Sequence, residues 1–247
     1  MSARQRLADL AVLGIAFLAF WQALNAVVGS TGLPGPAATL SYLSDFLVTA
    51  RFLESAAATA MTFAYALVVA CGIGLSIGVW LGAHHLSGAV GEPILVAIYS
   101  MPKITLYPVV LLIFGLGISG KVAFGALHGI LPVALLTMNA IRNVPPVYLK
   151  SARTMNLDRW QTIATVLFPS TMPEVVSGLR IGFTTTLLGV VLAEMFASKR
   201  GLGFLMINAI STVQPEEMLT VAIVLFTFAA LANALMLFVE HRLYHRG

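Results

Sequence analysis

The chain predicts an all-α integral membrane protein with six transmembrane helices and a cytoplasmic two-helix loop, on three observations. Of its 247 residues, 59% are hydrophobic and only 10% charged, whereas a soluble domain carries about 25% charged residues. Six apolar runs are long enough to cross a bilayer, which takes about 20 helical residues at roughly 1.5 Å each. Residues 143–173 form an amphipathic insert between the fourth and fifth runs. At roughly 30 residues it is too small to bury a core of its own, and too patterned to be a slack linker.

The predicted spans are 9–29, 57–82, 94–117, 122–141, 174–197 and 218–240, within a single transmembrane domain. None shows the period-two alternation of a membrane barrel strand, and helices satisfy every backbone group internally, as lipid demands. Arg4 and Arg6 precede the first run, as in a signal peptide. Its apolar stretch of about 20 residues exceeds the usual 7–15, and it ends at the turn-forming Thr31-Gly32-Leu33-Pro34-Gly35-Pro36 without a small-residue cleavage site. It is therefore read as an uncleaved helix.

In the second run Gly74, Gly78 and Gly82 are spaced by four, which gives one smooth face for close helix packing. Gly74 to Gly78 also spells G-x-S-x-G around Ser76, which would suggest an intramembrane protease with His128 as base. The nucleophile elbow needs a preceding strand, and none is predicted, so packing is the better reading. The third run contains Pro102, Lys103 and Pro108 and is expected to be interrupted or kinked there. Ionisable groups at membrane depth are costly, so Lys103 has two readings: a stem snorkelling to the inner interface, or a cation lining a pathway. On the fourth run His128, beside Gly129, reads as a hydrogen-bonded packing residue rather than a proton carrier.

On the fifth run Arg180 and Glu194 are 14 residues apart, about 21 Å along a helix, too far to pair with each other. Glu194 is expected to pair with Lys121, with solute contact as the alternative. Thr184, Thr185 and Thr186 either present hydroxyls to a cavity or bond back to their own helix. Gly201-Leu202-Gly203-Phe204-Leu205 reads as a turn followed by an apolar helix. Lys103, Thr185 and Glu194 are the candidate pathway residues.

The Lys and Arg distribution sets the orientation. With the N-terminus inside, the inner segments hold eight (Arg4, Arg6, Arg142, Lys150, Arg153, Arg159, Arg242, Arg246) and the outer segments four (Arg51, Lys121, Lys199, Arg200). Both termini and the insert are thus expected to be cytoplasmic. The net charge of +4 is scattered, which gives no nucleic-acid footprint. The single cysteine, Cys71, excludes an internal disulfide and a cysteine metal site. His84-His85 reads as solvated rather than metal-binding. No G-x-x-x-x-G-K-[ST] loop is present, so the chain is not expected to bind ATP or to be an enzyme.

In the insert, Pro145-Pro146 opens a helix, with Val147, Ser151 or Ala152, and Met155 at helical spacing. Asn156 follows, the non-glycine residue best suited to a left-handed helix end. Asp158 and Gln161 form a capping-box pair opening a second helix, on which Trp160, Ile163, Ala164 and Leu167 make one apolar stripe. Pro169 and Pro173 are expected to close it. Two readings stand: the stripe rests on the membrane or the protein's own helices, or it enters a partner's groove, where Trp and Arg are typical anchors.

The insert resembles the EAA loop of ABC importer permeases, E-A-A, three residues, G, nine residues, I, one residue, L-P. Here Lys150-Ser151-Ala152, Asn156, Val166 and Phe168-Pro169 occupy those positions. Further segments are similar to the nitrate/sulfonate/taurine subfamily: Leu33 to Pro36, Met101-Pro102-Lys103, Tyr107-Pro108, Phe114 to Gly117, Gly178 to Ile181, Ala193-Glu194-Met195 and Gly201-Leu202-Gly203. The resemblance covers nearly the whole chain and implies a type I importer permease of a bacterial inner membrane.

It also implies a second copy completing the pathway, two cytoplasmic ATPase subunits that hold ATP and Mg, and an extracytoplasmic solute-binding protein. The coupling residues it implies are Lys150, Ser151, Ala152, Arg153, Asn156, Leu157, Arg159 and Trp160. Lys150 stands where the family has Glu, which predicts an acidic residue on the partner, and Asn156 stands where it has Gly. The alternative class is a six-helix secondary transporter or channel working alone, which would need inward-facing acids for a coupling ion; Glu194 is the one acid deep in a predicted span.

Overall fold

In the computed structural model, which describes residues 3–244, the first helix α1 (Ala3–Val28) stands at the edge of the bundle. Its C-terminal end is tied to the turn that follows. There Trp21 Nε1 donates to the Pro34 carbonyl at 3.0 Å and Asn25 Nδ2 to that of Leu33 at 2.6 Å. The turn that follows leads into α2 (Pro36–Phe46), a helix not foreseen from the sequence. Its signal was present: Pro36 in the first turn, then Thr39, Tyr42, Leu43 and Phe46 at i, i+3, i+4 and i+7. Thr39 and Phe46 are buried.

Helix α3 (Ala50–Ala83) starts seven residues before the apolar run because Thr49 caps it, accepting from the Phe52 amide at 3.2 Å. The third run is not one rod. It is α4 (His85–Ser100), a 3₁₀ turn (Lys103–Leu106) and α5 (Tyr107–Phe114), bent by 90°. Pro102 is the cause, since it lacks an N–H to continue α4 and its ring drives Met101 to an extended ψ of 144°.

Helix α6 (Ile118–Arg142) is the axle of the bundle, with buried residues on most of its circumference. A Cβ added to Gly74, Gly78 or Gly82 of α3 would meet Val133 at 2.8 Å, Thr137 at 2.6 Å or Ile141 at 2.9 Å, residues themselves four apart on α6. The glycine stripe is thus the α3–α6 seam, and Ser76 faces away from it, its Oγ bonded to the Gly72 carbonyl at 2.7 Å.

Beyond α6 come α7 (Pro146–Thr154) and α8 (Arg159–Thr162), then a π turn (Ile163–Leu167) that runs directly into α9 (Phe168–Ala197). Here the structure corrects the sequence reading, because neither Pro169 nor Pro173 closes the second loop helix. The Phe168 amide reaches back five residues to the Ile163 carbonyl. That widened turn lets Pro169 enter without breaking the rod. Residues Arg159–Ala197 form one continuous helical span of 39 residues.

Helices α10 (Leu202–Ser211) and α11 (Pro215–Tyr244) complete the described residues. Phe46, Phe52, Leu202, Leu205 and Val221 form a cluster joining α2, α3, α10 and α11 at the end of the bundle remote from the loop. Among the described residues five helices are long and apolar enough to cross a membrane, six if the bent α4–α5 pair counts as one span. Of the orientation-setting cations, Arg246 and the side chains of Arg4 and Arg6 lie outside the described residues.

Candidate functional site

The loop between α6 and α9 is held in shape by main-chain geometry. Asn156 has φ of 53°. Its amide donates to the Arg153 carbonyl at 3.0 Å, and that of Leu157 donates to the Ala152 carbonyl at 3.1 Å. This pair of bonds is a Schellman helix end. One residue on, the Asp158 side chain accepts from the Gln161 amide at 2.8 Å while Gln161 Oε1 accepts from the Asp158 amide at 3.0 Å, a complete capping box. Two helix ends are thus fixed back to back with only Met155–Asp158 between them.

On that frame Ala152 is buried and Leu157 half-buried, whereas Lys150, Ser151, Arg153, Asn156 and Arg159 are exposed. Trp160 is 79% exposed and Ile163 45%. The apolar stripe is therefore not laid on the chain's own helices. Behind it, between α7 and the foot of α9, opens a cleft of ≈ 790 Å³ lined by Tyr148, Leu157, Phe168 and Glu174 among others.

The polar residues of the bundle resolve differently. Lys103 Nζ does not extend to the loop end. It turns back to donate to the Tyr99 carbonyl at 3.0 Å and lies 4.5 Å from the Tyr99 ring centroid. It thereby satisfies a carbonyl that the Pro102 break leaves free. Tyr107 donates to the Ala193 carbonyl at 2.8 Å, which sets the break in the same half of the bundle as Glu194. Thr185 bonds back to the Ile181 carbonyl at 3.0 Å and Thr184 to that of Arg180 at 3.2 Å. His128 packs its ring against Gly189 and donates Nδ1–H to the Phe124 carbonyl at 2.9 Å.

Glu194 is fully buried and is not paired with Lys121, whose ammonium donates to Ser198 Oγ at 3.2 Å. Instead its Oε2 accepts from Thr59 Oγ1 at 2.7 Å and from the Gly203 amide at 3.1 Å. Those donors come from α3 and from the start of α10, a non-local pairing that no spacing in the sequence reports. Arg180 also has a partner that sequence reasoning missed: its Nε donates to Glu240 Oε2 at 3.0 Å, with Ser177 Oγ on the other carboxylate oxygen. Two more ion pairs join helices, Arg51–Glu217 at 2.9 Å between the starts of α3 and α11, and Arg142–Glu92 at 2.6 Å between the end of α6 and the middle of α4.

A bundle of membrane-length helices with a rigid loop at one end fits a membrane transport subunit, and its similarity to known proteins gives the class. The chain belongs to the family described as binding-protein-dependent transport system inner membrane component, matched over residues 74–245. It is 25% identical over 228 residues to the putative aliphatic sulfonates transport permease protein SsuC of Bacillus subtilis, covering 92% of this chain and 83% of that one. It is 26% identical over 212 residues to the taurine transport system permease protein TauC of Escherichia coli, covering 83% and 77%. The nitrate import permease protein NrtB of Synechococcus elongatus is 26% identical over 203 residues, covering 78% and 73%. Among solved structures, an inward-facing form of the MetNI methionine ABC transporter superposes with a TM-score of 0.61 at 19% identity, over 75% of this chain and 93% of that one. The fold is that of an ABC importer permease.

Proposed function

We propose that this permease forms half of the translocation pathway of an ATP-driven importer. A second copy related by a two-fold axis completes it, and two cytoplasmic ATP-binding subunits hold the ATP and Mg. The observation that carries this reading is the loop: a turn fixed by a Schellman end and a capping box that holds Trp160 and Ile163 exposed, flanked by Arg153 and Arg159. Large apolar side chains on a rigid frame, with cations beside them, are what a partner's groove binds best. Lys150, Ser151, Ala152, Asn156 and Leu157 complete the coupling surface, and Lys150 meets an acidic residue of the partner. Both termini and the loop face the cytoplasm, as the Lys and Arg asymmetry directs.

An extracytoplasmic binding protein delivers the solute. ATP-driven closure of the two subunits draws the loops together and opens the pathway outward, because ATP acts through its different affinity for the two states. The solute is a small anion. The α4–α5 break supports this, since irregular backbone at membrane depth persists where it lines a cavity, and Lys103 is its cation. The names of the relatives agree, since sulfonates, taurine and nitrate all carry a compact oxyanion group.

Purification of the tagged chain from its native membrane in mild detergent tests the reading. An ATP-binding subunit co-purifies in equal amount. It is lost from a Leu157→Asp/Trp160→Ala preparation and reduced by Trp160→Ala alone, which leaves the frame intact. An unaltered chain that brings down no ATPase would overturn the importer and favour a transporter working alone.

A further inference from the structure

We propose that Glu194 is a positioning residue, a latch that fastens α10 to the long α8–α9 rod so that movement of the loop reaches the opposite end of the bundle. The inference rests on the importer reading above for what moves the loop, but the latch itself is read from geometry.

Four observations converge on it. The Glu194 side chain is wholly buried. Its Oε2 receives Thr59 Oγ1–H at 2.7 Å and the Gly203 amide at 3.1 Å, while Thr59 Oγ1 accepts the Leu202 amide at 2.8 Å. One carboxylate and one hydroxyl thus hold the first turn of α10, where unpaired amides and the helix dipole favour an anion. The main chain is shaped to admit the carboxylate. Gly201 has φ of 121°, and a Cβ there would collide with the Glu194 carboxyl group. A Cβ on Gly203 would collide with the Val191 carbonyl, so α10 lies hard against α9. Finally, Glu194 shares its helical rod with Trp160, roughly 50 Å away at 1.5 Å per residue, through a π turn that keeps the rod unbroken.

A solute ligand would be reachable from a cavity. This carboxylate is covered by the very turn it holds. Removing it strands the buried Gly203 amide and frees the Thr59 hydroxyl to turn back to its own helix, so α10 comes loose while the loop end stays as it was. A glutamine keeps the latch, because its amide oxygen accepts the same two donors.

The experiment uses the complete chain in its native membrane with Cys71→Ser and a reporter, Leu205→Cys, at a fully buried position of α10. A membrane-impermeant maleimide labels the reporter slowly. Labelling speeds up about tenfold in Glu194→Ala and Thr59→Val, the scale of losing hydrogen bonds to a charged group, and stays near the parent rate in Glu194→Gln. Equally slow labelling in Glu194→Ala overturns the latch.

In the purified complex, Glu194→Ala still binds the ATPase but moves several-fold less solute per ATP, whereas a general folding defect would lower assembly and transport together. A transport KM raised by Glu194→Gln as much as by Glu194→Ala would make Glu194 a solute ligand and overturn the proposal. Absence of any ATPase from the unaltered complex would sink the importer reading alone, since the labelling result still decides the latch.

Discussion

The main-chain amide of Leu157 donates to the carbonyl of Ala152 at 3.1 Å, across Asn156 in the left-handed region. Asn156 holds that conformation because its short polar side chain tolerates the left-handed region. Asn156→Gly should therefore leave the loop unchanged. Asn156→Val forces a β-branched residue to positive φ at a cost of about 1–2 kcal/mol, roughly tenfold in the local opening equilibrium. Hydrogen exchange at the Asn156 and Leu157 amides measures it.

The α3–α6 seam gives a paired test within one helix. A Cβ on Gly78 would lie 2.6 Å from Thr137 Cβ and 2.7 Å from the Ala134 carbonyl, one of them backbone that cannot yield. One on Gly72 meets nothing within 4 Å. Gly78→Ala should destabilise by about 1–3 kcal/mol, the range for overpacking, and Gly72→Ala should be neutral or better. Thermal unfolding of the detergent-solubilised chain compares them, and equal midpoints would contradict the seam.

Both of these features were legible in the sequence because they are local. Gly74, Gly78 and Gly82 announce a face by their spacing, as Asp158 and Gln161 announce a cap. Asn156 is legible for the same reason. What the sequence hid depends on partners far along the chain or on a compensation it does not advertise. Pro169 reads as a helix end unless the π turn before it is known. Glu194 suggests an ion pair because its true donors, on Thr59 and Gly203, are set by how α3 and α10 meet it. The kink near Pro102 could be foreseen, but the 90° bend is fixed by α5 packing Tyr107 onto Phe124 of α6.

Arg180 and Glu240 join α9 to the end of α11, and both side chains are mostly buried, with 23% and 14% exposed. Losing one partner of a buried pair costs about 3–5 kcal/mol; the residual exposure here places the loss below that. Arg180→Met should thus lower the thermal midpoint clearly, since it strands Glu240 with Ser177 alone. The double variant Arg180→Met/Glu240→Met should recover most of the loss. A double variant no more stable than the single one would show that the two charges do not depend on each other.

Lys103 has one donor committed to the Tyr99 carbonyl, and its ammonium carries two more N–H groups. If its task were only to cap the end of α4, a neutral side chain of similar reach would serve, and Lys103→Gln would transport normally. If it is the pathway cation proposed above, a neutral group cannot replace it, because a charge-assisted bond to an anion is roughly twice as strong as a neutral one. Lys103→Gln should raise the transport KM for an anionic solute by about tenfold, the factor for 1.4 kcal/mol, with ATPase association unchanged. Lys103→Arg should recover part of the affinity by restoring the charge. The lysine and its variants are compared by initial uptake rates over a range of solute concentrations, and a KM unmoved by Lys103→Gln would leave Lys103 as a helix cap alone.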